Sequence, residues 1–185
     1  MAMTRQLRRL AVLGAVATFA AGAAVGTPAS AAAASAPSPH VVPLSFHAGE
    51  FELMSDLPSH RCVGINASRQ AGLWNCTGGN DQVWSLANGD NQGNLQLENR
   101  NGQCLGVASA GTRNGSRVVA GSCHADHPDQ FWFGLQYRDD PSSILNWHAG
   151  LELAVSGGAD INGQPVILWS HTTNPDHRWT LNNYF

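Results

Sequence analysis

Three copies of one short motif divide the sequence into units of nearly equal length. Each copy has an aspartate, then Gln or His, one further residue and a tryptophan: DQVW at 81–84, DQFW at 129–132 and DHRW at 176–179. The tryptophans are therefore 132 − 84 = 48 and 179 − 132 = 47 residues apart. A repeat of this period indicates one supersecondary unit built three times around a shared core.

Each unit contains further segments in a constant order. A segment with a small third residue lies upstream of each tryptophan: CVGI at 62–65, CLGV at 104–107 and ELAV at 152–155. Apolar segments precede these and turn signals follow them, so each unit reads as four short strands. The 20 glycines and a charged fraction of 12%, against about 25% in typical domains, also favour short strands joined by turns.

Three such units predict an all-β fold of about twelve strands. A β-propeller would need about four or more blades, whereas three units can close into one barrel and remove exposed sheet edges. The sequence therefore predicts a β-trefoil over residues 46–185, with repeats at about 46–90, 91–140 and 141–185.

The four cysteines lie at matching places in the first two repeats. Their number allows three pairings, and their spacing alone does not choose among them. Cys62 and Cys76 lie in the first repeat, Cys104 and Cys123 lie in the second, and the third repeat lacks both members. Because the two positions lose cysteine together, the repeat predicts the disulfides Cys62–Cys76 and Cys104–Cys123, each stabilising the fold by about 3 kcal/mol.

The first 31 residues have the order of a secretory signal peptide. Arginines come first, an apolar segment spans 10–26, and Ala29-Ser30-Ala31 forms a small-residue cleavage site. The apolar segment is shorter than the roughly 20 residues of a membrane span. Residues 32–45 are expected to be an Ala/Ser/Pro linker, and the mature protein is expected to be secreted and extracellular, where disulfides persist.

Removal of the signal peptide would make the chain more acidic. It takes away three of ten arginines and no acidic residue, so the formal charge falls from −3 to 7 − 13 = −6. An acidic chain without a basic cluster argues against nucleic acid or an anionic membrane as a partner. We expect a monomer without a cofactor.

The repeated motif resembles that of the ricin B-type lectins, the (QxW)3 β-trefoil carbohydrate-binding modules. The resemblance rests on the three anchors, the C-x-G-type strands and the LWNC segment at 73–76, and it covers about residues 46–185. The signal peptide and the lack of lysine also resemble a secreted actinobacterial protein. The resemblance implies a lectin for glycans or polysaccharides, with galactose- and xylose-type glycans as plausible ligands.

The resemblance also implies where a sugar would bind. In this family an aspartate in a C-x-D strand accepts hydrogen bonds from the sugar, and an aromatic residue of the LWxC strand stacks on the apolar face of the pyranose. The first and third repeats have a tryptophan at the stacking position. The second repeat has Gly121 there and is not expected to bind sugar. The candidate carbohydrate-binding residues are Trp74, Asp81, Gln82, Trp169, Asp176 and His177.

Some of these residues also fit a structural role. Gln82 and its counterparts recur by symmetry, and a buried Gln bonds backbone groups. A neutral His177 could replace Gln as donor and acceptor, and protonation would then remove the acceptor and weaken the third repeat below about pH 6. The HADH segment at 124–127 is interpreted as surface histidines, so no metal site is expected.

The sequence departs from the family pattern at the sugar acceptor. The C-x-D position holds Gly64, Gly106 and Ala154, so no repeat keeps the aspartate. Weak sugar binding through the first and third repeats is therefore expected, and a protein-binding or inhibitory trefoil that has lost sugar binding is the alternative. An enzyme is not expected. Asp81, Asp129 and Asp176 occupy equivalent positions in the repeats, which suggests a structural role rather than the unlike roles of a catalytic acid and base, and neither G-x-S-x-G nor H-E-x-x-H is present.

Overall fold

Short strands joined by turns make up nearly all of the structure. The computed structural model describes residues 49–135 and 141–183, so the expected signal peptide and linker lie outside the described residues. Within these ranges, no helix is long and apolar enough to cross a membrane. The described strands are β1 Phe51–Ser55, β2 Cys62–Ile65, β3 Ala71–Trp74, β4 Val83–Ala87, β5 Gln96–Asn99, β6 Gln103–Val107, β7 Val118–Ser122, β8 Trp132–Phe133, β9 Leu145–Asn146, β10 Glu152–Val155, β11 Val166–Trp169 and β12 Trp179–Asn183.

Six of these strands form a closed ring of antiparallel pairs. β1 pairs with both β12 and β4, β4 pairs with β5, and β8 pairs with β9. Single bridges complete the ring, because Leu95 next to β5 pairs with Trp132, and Ser142 before β9 pairs with Trp179. Closure satisfies the backbone groups that open sheet edges would expose. The prediction of an all-β trefoil is confirmed.

The other six strands form one hairpin in each repeat. The hairpins are β2–β3, β6–β7 and β10–β11. Each hairpin is bridged to both others through the pairs Gln70–Val119, Gly72–Pro165 and Arg117–Ile167. The hairpins therefore pack as an approximately threefold set, and they carry the positions at which the sequence predicts sugar binding.

Three tryptophans connect the barrel to these hairpins. All three are fully buried, and each begins or lies within a barrel strand. Each indole N–H donates to a carbonyl of the first hairpin strand in its own repeat: Trp84 to Val63 at 3.1 Å, Trp132 to Leu105 at 2.9 Å and Trp179 to Leu153 at 2.9 Å. The buried donor is thus satisfied, as burial of an indole requires.

Two disulfides close the first two repeats. Cys62 is bonded to Cys76 and Cys104 to Cys123, with 14 and 19 residues of sequence separation. Both pairings confirm the prediction from the repeat. Each disulfide joins the start of the first hairpin strand to the segment that follows the second strand.

Candidate functional site

The strand register identifies which residues are equivalent in the three hairpins. Gly64, Gly106 and Ala154 face the second strand at equivalent positions, opposite Gly72, Val119 and Ile167. Two residues further along the second strands, the equivalent positions hold Trp74, Gly121 and Trp169. The structure therefore supports comparing these hairpins residue by residue.

A pocket of about 450 Å³ lies on the hairpin of the third repeat. Trp169 lies beside it with 41% of its surface exposed. Ala154 and Ile167 form part of the floor, and Asp176 and His177 line another side. The pocket thus combines an exposed aromatic ring, apolar floor atoms and a carboxylate, which is the composition expected of a small-molecule site with a few orienting polar groups.

The carboxylate of Asp176 is the acid that this pocket presents. Its side chain is 16% exposed, and its Oδ2 lies 3.7 Å from Nε2 of the buried His177. Both residues belong to the short 3-10 helix Pro175–His177, and Asp176 lies against Gly158 in the turn after β10. Asp176 is therefore placed to accept hydrogen bonds from a ligand in this pocket.

The first repeat has a different arrangement at the same positions. Trp74 is half-buried, and a Cβ built at Gly64 would lie only 2.8 Å from its Cδ1 atom. A Cβ at Gly163, in the third repeat, would lie 3.4 Å from the far edge of the ring. Asp81 also packs here, because the Cβ built at Gly64 would lie 3.0 Å from its Oδ2 atom. The ring of Trp74 therefore packs closely over Gly64, at the position equivalent to Ala154 in the third repeat.

The second repeat has no aromatic ring at the stacking position. Nothing lies within 4 Å of a Cβ built at Gly121. Asp129, equivalent to Asp81 and Asp176, accepts a hydrogen bond from the backbone N–H of Val107 at 3.2 Å. The carboxylate of this repeat is therefore already used by the fold.

Gln82 serves as scaffold in the first repeat. It is 3% exposed, its Oε1 accepts the backbone N–H of Thr77 at 2.8 Å, and its Nε2 donates to the carbonyl of Asn75 at 3.0 Å. Gln130 makes the equivalent pair of bonds with His124 and Ser122. The buried amide thus satisfies two backbone groups of the loop that begins at the disulfide.

The third repeat replaces the disulfide with a carboxylate–imidazole contact. Glu152 stands in the position of Cys62 and Cys104, and it is 2% exposed. Nδ1 of His171 donates to its Oε1 at 2.6 Å, where the other repeats have the second cysteine. The sequence shows that both cysteines are absent from the third repeat, but it does not show this bond. The equivalence to a disulfide was the available signal, since it places the two side chains in contact.

The sequence-based expectation for His177 is wrong. Its Nδ1 donates to Oε2 of Glu152 at 2.8 Å instead of bonding the loop backbone as Gln82 does. The backbone N–H of Thr172, equivalent to that of Thr77, donates to Oε2 of Glu152 at 3.4 Å. Glu152 therefore accepts the backbone bond that the glutamine oxygen accepts elsewhere. The acceptor for the loop backbone is therefore Glu152 and not His177. The predicted weakening of the third repeat below about pH 6 loses its basis.

Two opposing effects act on the pKa of the Glu152 carboxyl. Burial raises the pKa, because it disfavours the charged form. Hydrogen bonds from His171, Ser143 and His177, with that from the Thr172 backbone, outweigh burial, and the pKa of this carboxyl lies below its ordinary value. Glu152 is therefore held as the ionised partner of two imidazoles.

The closed ring of six strands and the three hairpins define the chain as a β-trefoil. The sequence profile described as the ricin-type beta-trefoil lectin domain matches residues 50–179, and the chain belongs to this family. A search of curated proteins by sequence finds no match.

Solved structures of the same fold include free-standing lectins and modules of larger enzymes. The designed threefold protein ThreeFoil has a TM-score of 0.67 at 22% identity, covering 74% of this chain and 99% of its own. The Macrolepiota procera ricin B-like lectin in complex with lactose has a TM-score of 0.61 at 18% identity, covering 74% and 96%. The exo-β-1,3-galactanase of Clostridium thermocellum has a TM-score of 0.66 at 18% identity, but this chain covers only 30% of it. At these identities the likeness shows the fold.

The depressed pKa of Glu152 predicts an acid-dependent contribution to stability. Its ionised form stabilises the folded state above the unfolded pKa of about 4.3, and this contribution is lost as pH falls through the lower folded pKa. In urea titrations from pH 3 to 8, Glu152→Gln should lower the free energy of unfolding at pH 7 by about 1–3 kcal/mol. The difference from the unsubstituted protein should shrink towards zero near pH 3. A deficit of equal size at every pH would contradict a role for the charge.

The equivalence of Glu152 and His171 to a cysteine pair predicts that a third disulfide can be built. The triple variant Glu152→Cys/His171→Cys/His177→Gln gives the third repeat the two cysteines and the glutamine that the other repeats have. Its two cysteines would be 171 − 152 = 19 residues apart, the same separation as Cys104–Cys123. Thiol titration should find no free thiol, and the oxidised variant should exceed the serine control described next in stability by about 3 kcal/mol.

The matched control for this variant replaces both cysteines with serine and keeps His177→Gln. The control has the same glutamine but no crosslink, so it isolates the effect of the disulfide. Two free thiols per chain in the folded triple variant would contradict the structural equivalence.

Proposed function

We propose that the chain is a secreted lectin domain that binds glycans weakly, with the third-repeat pocket as its main site. The exposed ring of Trp169 beside an open pocket is the observation that carries this proposal. A pyranose has an apolar face of C–H groups and a rim of hydroxyls, so it can stack on the indole while Asp176 accepts hydroxyl hydrogens. The two disulfides support secretion, because they persist in oxidising compartments.

A single shallow site of this kind gives low affinity. One stacked ring and a few hydrogen bonds correspond to about −4 kcal/mol, a dissociation constant in the millimolar range. Galactose-type glycans are the first ligands to test, since a lectin of this fold was solved with lactose, and xylose-type glycans are the second. Binding to a polymeric glycan would gain strength through repeated encounters along the polymer.

The first repeat remains a proposed second site of lower affinity. Trp74 keeps the stacking residue, but its ring packs on Gly64 and Gly163 and is only partly exposed. Ligand stacking there would use the remaining exposed part of the ring or would require the ring to move. We therefore expect Trp74 to contribute less than Trp169.

The lack of a C-x-D aspartate favours a second candidate function. Gly64, Gly106 and Ala154 leave every repeat without the family acceptor, so the surface can have been retained for a protein ligand. In that case the trefoil would act as an inhibitor or adaptor, and no glycan would bind at millimolar concentration.

Substitution of Trp169 tests the glycan-binding proposal. Affinity electrophoresis through gels containing galactan or xylan should show retardation of the unsubstituted chain. Trp169→Ala should lose most of this retardation, a drop in affinity of about tenfold or more, because the stacking surface is removed. Trp147→Ala is the matched control, since Trp147 is 47% exposed and does not line the pocket.

Each outcome of this experiment bears on one part of the proposal. The third-repeat site is supported if Trp147→Ala is retarded like the unsubstituted chain and Trp169→Ala is not. Equal retardation of both variants would overturn that site. A chain that is not retarded by galactan, xylan or a wider glycan array would favour the protein-binding alternative.

The acceptor can also be rebuilt in the pocket. The double variant Ala154→Asp/Asp176→Asn places an aspartate at the C-x-D position and removes the second carboxylate of the pocket. A hydrogen bond to a charged acceptor contributes about 1.5–3 kcal/mol, so glycan affinity should be about tenfold higher than that of Asp176→Asn alone in the same gels. Asp176→Asn alone is the control and should bind more weakly than the unsubstituted chain. Binding in the double variant no stronger than in this control would contradict the placement of the sugar beside Ala154.

A further inference from the structure

The loop after β7 is one residue longer than its counterparts. Cys123 and Gln130 are seven positions apart, whereas Cys76 and Gln82, like the equivalent pair in the third repeat, are six apart. The longer loop forms a tight turn in which the backbone N–H of His127 donates to the carbonyl of His124 at 3.4 Å. The first and last residues of such a turn lie close together.

This turn places three metal-binding side chains side by side. The rings of His124 and His127 stack, with centroids 4.5 Å apart and planes inclined by 25°. Asp126 lies within the turn, and one ligand atom from each of the three residues lies within 4.8 Å of the other two. All three side chains are exposed, so a metal ion can reach them from solvent.

The backbone of the turn is held by the rest of the repeat. The N–H of His124 donates to Oε1 of Gln130 at 2.8 Å, and its carbonyl accepts from Nε2 of Gln96 at 2.8 Å. The N–H of Gln130 donates to the carbonyl of His127 at 3.0 Å, and the adjacent Cys123 is bonded to Cys104. These bonds use backbone atoms of the histidines, so both imidazoles can serve as ligands without breaking them.

We propose that His124, Asp126 and His127 form a binding site for a divalent transition-metal ion such as Zn²⁺ or Ni²⁺. Two imidazole nitrogens and one carboxylate oxygen suit these ions, while Ca²⁺ and Mg²⁺ require more oxygen ligands. Bonds of about 2.0–2.1 Å in a tetrahedral site place ligand atoms about 3.4 Å apart, so the exposed side chains close on the ion by small rotations. The remaining position is open to water or to a donor from another molecule.

The site is independent of the proposed sugar pocket. It lies on the second repeat, whose hairpin has glycine at the stacking position, whereas the pocket is lined by residues of the third repeat. The sequence alone favours surface histidines for HADH, because no second set of ligand residues is evident. The turn that joins His124 to His127 depends on loop bonds to Gln130 and Gln96.

Calorimetric titration of the full, tag-free chain with ZnCl2 and with NiCl2 at pH 7.5 tests the proposal. One ion per chain should bind with a dissociation constant in the micromolar range. His124→Ala and His127→Ala should each weaken binding at least tenfold, and Asp126→Asn should weaken it less. Lowering the pH to 5.5 should also weaken binding, because metal ligation requires neutral imidazole.

Two controls separate this site from other effects. His148→Ala removes another exposed histidine outside the turn and should leave the affinity unchanged. Trp169→Ala should also leave metal affinity unchanged. Thermal melts show whether each variant is folded, and His124→Gln is a second variant that preserves side-chain size. Absence of binding up to 1 mM metal, or equal affinity in the folded His124, His127 and His148 variants, would overturn the proposal.

Discussion

The hydrogen bond from each buried tryptophan to a hairpin carbonyl is the interaction on which the rest of the structure depends. It joins a barrel strand to the first hairpin strand of the same repeat, as Trp179 in β12 does with Leu153 in β10. The indole fills the core, and its N–H would be costly to bury without an acceptor. The carbonyl lies one residue before the C-x-D position, so the bond also sets where Ala154 and its equivalents stand.

The third repeat shows that a set of contacts can change together while this interaction stays. Glu152 replaces a cysteine, and it bonds His171 in place of the disulfide and His177 in place of the glutamine. Its carboxylate also accepts the loop N–H that a glutamine oxygen accepts in the other repeats. Returning Glu152 alone to cysteine would leave Nδ1 of the buried His177 without its acceptor, and such a group is costly. The substitutions are therefore best understood as one exchange.

The sequence predicts the fold well and the site only in part, for a physical reason. The fold depends on features repeated three times, so the spacing of Trp84, Trp132 and Trp179 identifies it, and the joint loss of two cysteines identifies the disulfides. The sites depend on residues that differ between the repeats, and a feature that occurs in one repeat only cannot be recognised from repetition. The contacts of Glu152 were missed because they form across a loop that no periodic pattern reports.

The different exposure of Trp74 and Trp169 illustrates how small residues decide the function of equivalent positions. In the first repeat, Gly64 and Gly72 lack side chains, and the ring of Trp74 packs over both. In the third repeat the equivalent positions hold Ala154 and Ile167, whose side chains occupy that floor. Trp169 therefore cannot adopt the same packed position, and its ring stays exposed beside the pocket. Two added side chains beneath the ring thus turn a packing tryptophan into one that a ligand can reach.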